Sequence, residues 1–462
     1  FAAIALLSLI LHSLGVEPSV LSLAMLLGPL VLYMAIGAAT HASDPLDFFA
    51  AGRRVPAFFN GLVLATSAFG ATGLVGLTGL FFLIGFDALF IAIGALGGFV
   101  IMAVLLAPFL RKFGAFTIPS YLGRRFESRP LRLATALVVA VPILMVLSAE
   151  LRFAAEAAAK LSGWSHGQVF LLLYLVLLAT LIPGGMRSMT WSSVAQSLAA
   201  VLAVMVPVII VAAIVTTLPV PQLTYGPVLR AVGRSEAIQG LPIILPPILA
   251  FDLPGPELQP IMKRFADPFG AVGAGAFVLG TLSMMAGVAS APWLLPRLAA
   301  APGVYDARKT LGWATFIFGI AMLTASSVAV FMRDFLMDLL VTPGPAIVPP
   351  WLADLAKRGF ASITETGTQF TTQSISFARD SVILSLPVAA QLPPMLLDLT
   401  LAAIVAAGLV TASAAVTALG HVLSEDTLFG STWDPPHGSA RLHAGRGGIA
   451  AAAAAGILAA AF

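Results

Sequence analysis

The sequence predicts an all-α polytopic membrane protein with about eleven transmembrane helices, on three observations. Of its 462 residues, 59% are hydrophobic and 10% charged, where a soluble domain carries about 25% charged residues. Uncharged apolar runs of ~18 residues or more, enough to cross a bilayer as helix, recur from end to end. Lysine and arginine fall in alternate short connections, the pattern that orients membrane helices. The sequence lacks the alternating segments of ~10 residues that a β-barrel requires.

Composition also excludes functions. A net charge of +3 gives no pull on nucleic acid, and the absence of cysteine rules out thiol chemistry and disulfides. The six histidines are scattered, without metal-ligand spacing. No nucleophile-and-base constellation or phosphate loop appears, so an enzyme is not expected.

In chain order the expected spans are 1–16, 18–41, 56–80, 84–110, 133–160, 166–184, 190–219, 269–296, 310–340, 395–423 and 446–462. Asp87 is the one charge between 56 and 110, and with Gly85 it supplies turn chemistry, so that stretch divides into a helical hairpin. The loop 111–132 holds Arg111, Lys112, Arg124, Arg125, Arg129 and Arg132, which places it in the cytoplasm. Alternation then puts Arg53, Arg54, Arg187, Arg297, Arg308, Lys309, Arg441 and Arg446 inside as well, with the N-terminus inside. Both ends of the sequence read as trimmed, since Phe1 is not a start methionine and Phe462 lies in an apolar run.

The outer side receives two long connections. In 220–268, the segment "LPIILPPILAF" (241–251) is too short and too proline-broken to span, and is expected against the outer face or in the interface. The Thr-, Ser- and Pro-rich connection 341–394 is long enough to be a functional cap or a mobile loop.

Five features bear on function. "ATSAFGATGLVGLTG" (65–79) carries Gly70, Gly73, Gly76 and Gly79 at every third position, with Thr66, Ser67, Thr72 and Thr78 between them. Small residues let membrane helices pack closely; they also permit a break whose freed carbonyls bind an ion at the midplane. "AGLVTASAAVTALG" (407–420) is a second uncharged, hydroxyl-bearing helix, and the pair could offer an oxygen-only cage to a hard cation such as sodium. In "PGGMRSMTWSSVAQS" (183–197), Thr190 or Ser192 is expected to cap a helix, and Gln196 to bond between helices. In "GVASAPWLLPR" (287–297), Pro292 and Pro296 kink or stop a span, and Trp293 is either an interfacial anchor or a ring facing a cavity. Finally, Arg152, Glu156 and Lys160 have i, i+4 spacing for a charge ladder near a helix end. Glu150, the deepest of these charges, either pairs with Arg152 or has a functional role.

Together these stretches resemble the sodium/solute symporter family. "DFFAAGRRVPAFFNGLVLATSAFGATGLVGLTGLFF" (47–82) is similar to its first core helix and entry, and "GAFTIPSYLGRRF" (114–126) to its second cytoplasmic loop. "GGMRSMTW" with Gln196 resembles its Gly-Gly and Gln signature. "PWLLPRLAAAPGVYDARKTLGWA" and "RDSVILSLP" look most like the branch of acetate and other monocarboxylate permeases. The resemblance runs from about 43 to 440.

It implies an inverted-repeat fold of the leucine-transporter type. Residues 1–55 would be two accessory helices and an entry loop, and 56–219 the first five-helix repeat. Residues 220–268 would form an outer loop, and 269–462 an incomplete second repeat of core helices six to nine containing the loop 341–394. Core helix ten would lie outside the sequence. The implied cation site uses Thr66, Phe69, Ala407, Val410 and Thr411. The implied solute contacts are Ser67, Thr72, Gly73, Ser290 and Trp293. The chain departs from the pattern at Val410, where many relatives have a hydroxyl, and at Ser67 and Gly70, where acetate-permease-like members have Asp and Ser. Trp293 replaces a histidine common in that branch. The implied function is sodium- or proton-coupled symport of a small organic solute, a monocarboxylate such as acetate, in a bacterial inner membrane. The implied partners are that solute, Na+ or H+ and the lipid bilayer, with no cofactor beyond a bound sodium ion and no nucleic acid. The alternative is a transporter-like membrane sensor with a degenerate cation site and a C-terminal signalling domain or partner outside this sequence.

Overall fold

A computed structural model describes residues 15–240, 243–245, 261–341, 347–363, 370, 374–429 and 438–462. Most of the first expected span therefore lies outside the described residues, as do 246–251 of the proline-broken segment. The helices are α1 (Pro18–Ala39), α2 (Pro45–Ala50), α3 (Ala57–Thr72), α4 (Thr78–Ile84), α5 (Leu89–Ile101), α6 (Ala107–Phe113), α7 (Ile118–Arg125), α8 (Arg129–Ser162) and α9 (His166–Leu181). They continue as α10 (Met186–Thr216), α11 (Pro221–Gln239), α12 (Ala274–Ala289), α13 (Val304–Val341), α14 (Pro350–Lys357), α15 (Val382–Ala389), α16 (Pro394–His421) and α17 (Ser439–Ala461).

Local chemistry sets these boundaries. Proline opens α1, α2, α11, α14 and α16, where its missing N–H costs nothing. Thr117 caps α7 by accepting from Ser120 N, and Ser128 caps α8 by accepting from Leu131 N. Thr190 and Ser192 do not cap α10 as expected. Gly185, at φ 54°, starts the helix a turn earlier, so Thr190 bonds back to the Met186 carbonyl and Ser192 donates to the Tyr33 carbonyl at 2.9 Å.

Among the described residues, seven helical stretches are long and apolar enough to cross a bilayer, and α9 and α12 are shorter apolar helices. One of the seven, Ala57–Phe113, is a hairpin. It breaks at Gly85 (φ 55°), and both ends return to one segment: Val55 N–H donates to Ala300 O at 3.2 Å and Arg111 Nε to Ala301 O at 2.6 Å. At the turn, the buried Asp87 carboxylate accepts from the amides of Phe269, Ala271 and Val272 at 2.6, 2.6 and 3.1 Å and lies 3.4 Å from Lys263 Nζ. The two long connections, 220–268 and 341–394, are structured where described. They contain α11, the strand pair β1 (Ile243–Leu245) and β2 (Ile261–Lys263), α14, the pair β3 (Ala361–Ile363) and β4 (Ile375–Phe377), and the buried helix α15.

The basic loops gather on one end. Arg53 donates to Gly114 O, Arg187 pairs with Asp47, Arg132 pairs with buried Asp426 at 2.8 Å, and Arg441 pairs with Glu425. At the centre stands α16, almost wholly buried, against α3, α8 and α10.

Candidate functional site

The site is built where α3 breaks. Gly70 has φ 60° and ψ −170°, a region essentially closed to residues with a side chain. Helix resumes at Ala71 and continues through a π turn, Gly73–Leu77, into α4. The break falls within the glycine-rich stretch, so the glycine pattern serves a discontinuity as well as packing. Gly79 serves packing: a side chain there would collide with the Arg379 carbonyl.

Glu150 of α8 fills the gap. Its carboxylate is 1% exposed and accepts from Ala71 N at 2.7 Å, from Thr72 N at 3.4 Å and from the Thr72 hydroxyl. These are the first free amides of the resumed helix, which carry its positive dipole end. A Cβ on residue 70 would run into this carboxylate. From the third side, Gly408 of α16 brings its backbone within reach of both helices. A Cβ there would meet Ala154 Cβ at 3.0 Å, Glu150 O at 3.1 Å and Ala71 Cβ at 3.3 Å. Glu150 does not pair with Arg152, which donates instead to Ala460 O at 2.8 Å. Nor does the ladder form: Lys160 lies over the Phe360 ring, 5.0 Å from its centre.

The candidate cation residues lie on α3 and α16, two helices that pack together. Thr66, Phe69 and Ala407 line one cavity of about 340 Å³ between α3, α10 and α13. Thr66 spends its hydroxyl on Leu62 O at 3.0 Å, leaving its carbonyl as the group it can offer. Thr411 is 2% exposed and its hydroxyl makes no hydrogen bond within the protein. Val410 packs against Val63 and Val194.

The candidate solute residues divide. Ser67 is 1% exposed with an unpartnered hydroxyl, and its carbonyl accepts from Trp293 Nε1 at 3.3 Å. Trp293 thus faces the broken helix. Thr72 is bound to Glu150, and Gly73 lies against the Phe69 ring. Ser290 is exposed and bonded to Ala286 O. None of these five lines the 340 Å³ cavity.

Two expectations change. Gln196 is buried, yet neither end of its amide meets a partner, so it does not bond between helices here. Arg297, read as interfacial, is fully buried, with Nη2 at 2.7 Å from Met189 Sδ and Nη1 at 3.5 Å from Asn60 Oδ1. The Asn60 amide donates in turn to Arg297 O at 3.1 Å. A lone asparagine in an uncharged span was the only sequence signal for this contact.

A helix interrupted inside a bundle of apolar spans, with its break and unpaired hydroxyls buried rather than facing lipid, is the arrangement that secondary transporters use for their binding sites. The chain belongs to the sodium:solute symporter family, whose model matches residues 48–427. It is 26% identical over 487 aligned positions to an uncharacterized symporter of Cupriavidus necator, covering 87% of this chain and 71% of that one. In fold it is similar to a Na+-coupled sialic acid symporter solved in a substrate-bound, outward-open state, with a TM-score of 0.67, 15% identity, and coverage of 95% of this chain and 81% of that one. The fold is the inverted-repeat leucine-transporter type, and the chain is a multi-pass membrane transporter rather than an enzyme.

Proposed function

We propose that the protein carries a small organic solute by alternating access, driven by a cation held between α3 and α16. The observation that carries this is the break at Gly70 beside a fully buried helix whose Thr411 hydroxyl has no partner. A buried hydroxyl left unpaired costs about 1–3 kcal/mol, so it marks a place where a ligand completes the structure. The carbonyls of Thr66, Phe69 and Ala407 and the hydroxyl of Thr411 form the cation set, and Val410 supplies backbone and packing. Sodium is the first ion to test, as a hard cation suited to oxygen ligands. A cation favouring the arrangement with the break formed biases the carrier between its two states by its differential affinity.

Ser67, Thr72, Gly73, Ser290 and Trp293 form the solute side of the reading. A monocarboxylate such as acetate is the class that resemblance implies; it requires free helix-end amides. We further read 56–219 and the chain from 269 onward as the two inverted repeats. The basic end is assigned to the cytoplasm, with the N-terminus inside, in a bacterial inner membrane. The test is uptake of labelled acetate, pyruvate, proline and ethylammonium into proteoliposomes under an imposed sodium or proton gradient. Gradient-driven uptake of any one is expected; none from the whole set overturns the reading.

A further inference from the structure

We propose that Glu150 is a specificity-determining residue that makes the solute site one for small organic cations, with an ammonium group, rather than for carboxylates. The proposal rests on the transporter reading above and concerns the solute it carries.

In a membrane interior without basic side chains, a carboxylate is held by the amides at the start of a broken half-helix. In this protein those amides are Ala71 N and Thr72 N, and both already donate to Glu150, together with the Thr72 hydroxyl. The protein has supplied the carboxylate itself, from another helix. The fit is built: Gly70 has no side chain in the space the Glu150 carboxylate occupies, and Gly408 lets α16 close over the Glu150 backbone. A solute carboxylate arriving here meets occupied donors and a like charge in a medium of low dielectric.

Among the described residues no cation pairs with the Glu150 carboxylate. Every hydrogen bond to the carboxylate comes from an uncharged donor. Arg152, two residues on, turns away to Ala460 O. Arg297 is engaged with Asn60, ten residues before Gly70 on the same helix, which is ~15 Å away at the rise of an α-helix. A buried charge without a partner is expensive unless something pairs with it, and an organic ammonium would pair with it. Ser67, whose buried hydroxyl has no partner, and Trp293, hydrogen-bonded to the Ser67 carbonyl, stand on the same break. They supply an acceptor and an aromatic ring, the groups that suit an alkylammonium.

The test is a charge series of near-equal size: acetate, acetamide and ethylammonium. Each is added to the detergent-purified full chain in thermal-shift titrations, and each is offered in proteoliposome uptake. Wild type is expected to be stabilised by ethylammonium at concentrations at least ~10-fold lower than acetate, about 1.4 kcal/mol of discrimination. Glu150→Gln, which keeps the shape and an acceptor, is expected to lose that preference, and Glu150→Asp to retain it in part. Acetate stabilising wild type as well as ethylammonium, no stabilisation by either, or an unchanged preference in Glu150→Gln would each overturn the proposal. Should Glu150→Gln fail to fold, the wild-type series and Glu150→Asp decide it alone. Failure of the transporter reading is distinct: no gradient-driven uptake of any solute, whatever the binding series gives.

Discussion

The Glu150 carboxylate accepts the Ala71 amide at 2.7 Å across 79 residues of sequence, in the space a side chain on residue 70 would need. The contact joins α8 to the broken helix at the one point where the α3–α4 path departs from helical geometry. It also gives two glycines a role: the backbone conformation and the carboxylate both call for glycine at 70, and Gly408 leaves room for the close approach of α16 to both partners.

Gly70→Ala is therefore expected to be severe. The backbone conformation alone costs of order 1–3 kcal/mol for a residue with a Cβ, and the methyl also displaces Glu150. We expect a thermal midpoint several degrees lower and loss of uptake. Adding Glu150→Ala to Gly70→Ala should recover part of the stability, because the clash is removed while the backbone cost stays. A strictly additive double mutant in a thermal-melt cycle would show that the two residues do not interact.

Thr411→Val should leave the fold intact, since the hydroxyl bonds to nothing within the protein, and should weaken cation dependence. The expected effect is a rise of ~10-fold in the sodium concentration for half-maximal uptake, about the 1.4 kcal/mol of one charge-assisted bond. Thr411→Ser should stay near wild type. An unchanged sodium response in Thr411→Val would remove Thr411 from the cation set.

At the Gly85 turn, Asp87→Ala should destabilise more than any other single change. It strips three amides of their acceptor at a buried position and takes the counter-charge from Lys263, which keeps the Ile84 and Asp267 carbonyls, and removing one partner of a buried ion pair costs about 3–5 kcal/mol. Lys263→Met should cost less, because the amides of Phe269, Ala271 and Val272 still hold the carboxylate. The order of the two melting temperatures checks this.

How much of this was legible in the sequence follows from the range of each signal. Hydropathy located the long apolar helices because it acts within one helix length, and the break was legible to within a few residues because glycine is a local requirement. Glu150 stood out as the deepest charge, but its partner did not. Periodicity sees only Arg152 on the same helix, whereas the real donors are Ala71 and Thr72 on another. Thr190 and Ser192 failed as caps because Gly185 starts α10 earlier. Arg297 looked interfacial because the positive-inside pattern reports which end of the bundle a residue occupies and is blind to burial. The helix α11 escaped detection because its residues are too polar for a span and carry two prolines, at its first position and within it.

The orientation can be tested with introduced thiols, since residues 1–462 contain no cysteine. Tyr305, 75% exposed, follows Ala301 and Pro302, the carbonyls that hold Arg111, and so reports the basic end. Ile238, 80% exposed, sits near the end of α11, whose Glu236 accepts from Arg333 and from Phe265 N on the opposite side. Both side chains are largely exposed, so Tyr305→Cys and Ile238→Cys should fold normally. With a membrane-impermeant maleimide on intact cells, Ile238→Cys is expected to label and Tyr305→Cys to label only after permeabilisation, since the arginine-rich end is retained on the cytoplasmic side. The reverse pattern would invert the whole assignment. Labelling of both from outside would mean that the two positions lie on one side, which contradicts the hairpin that closes at Gly85.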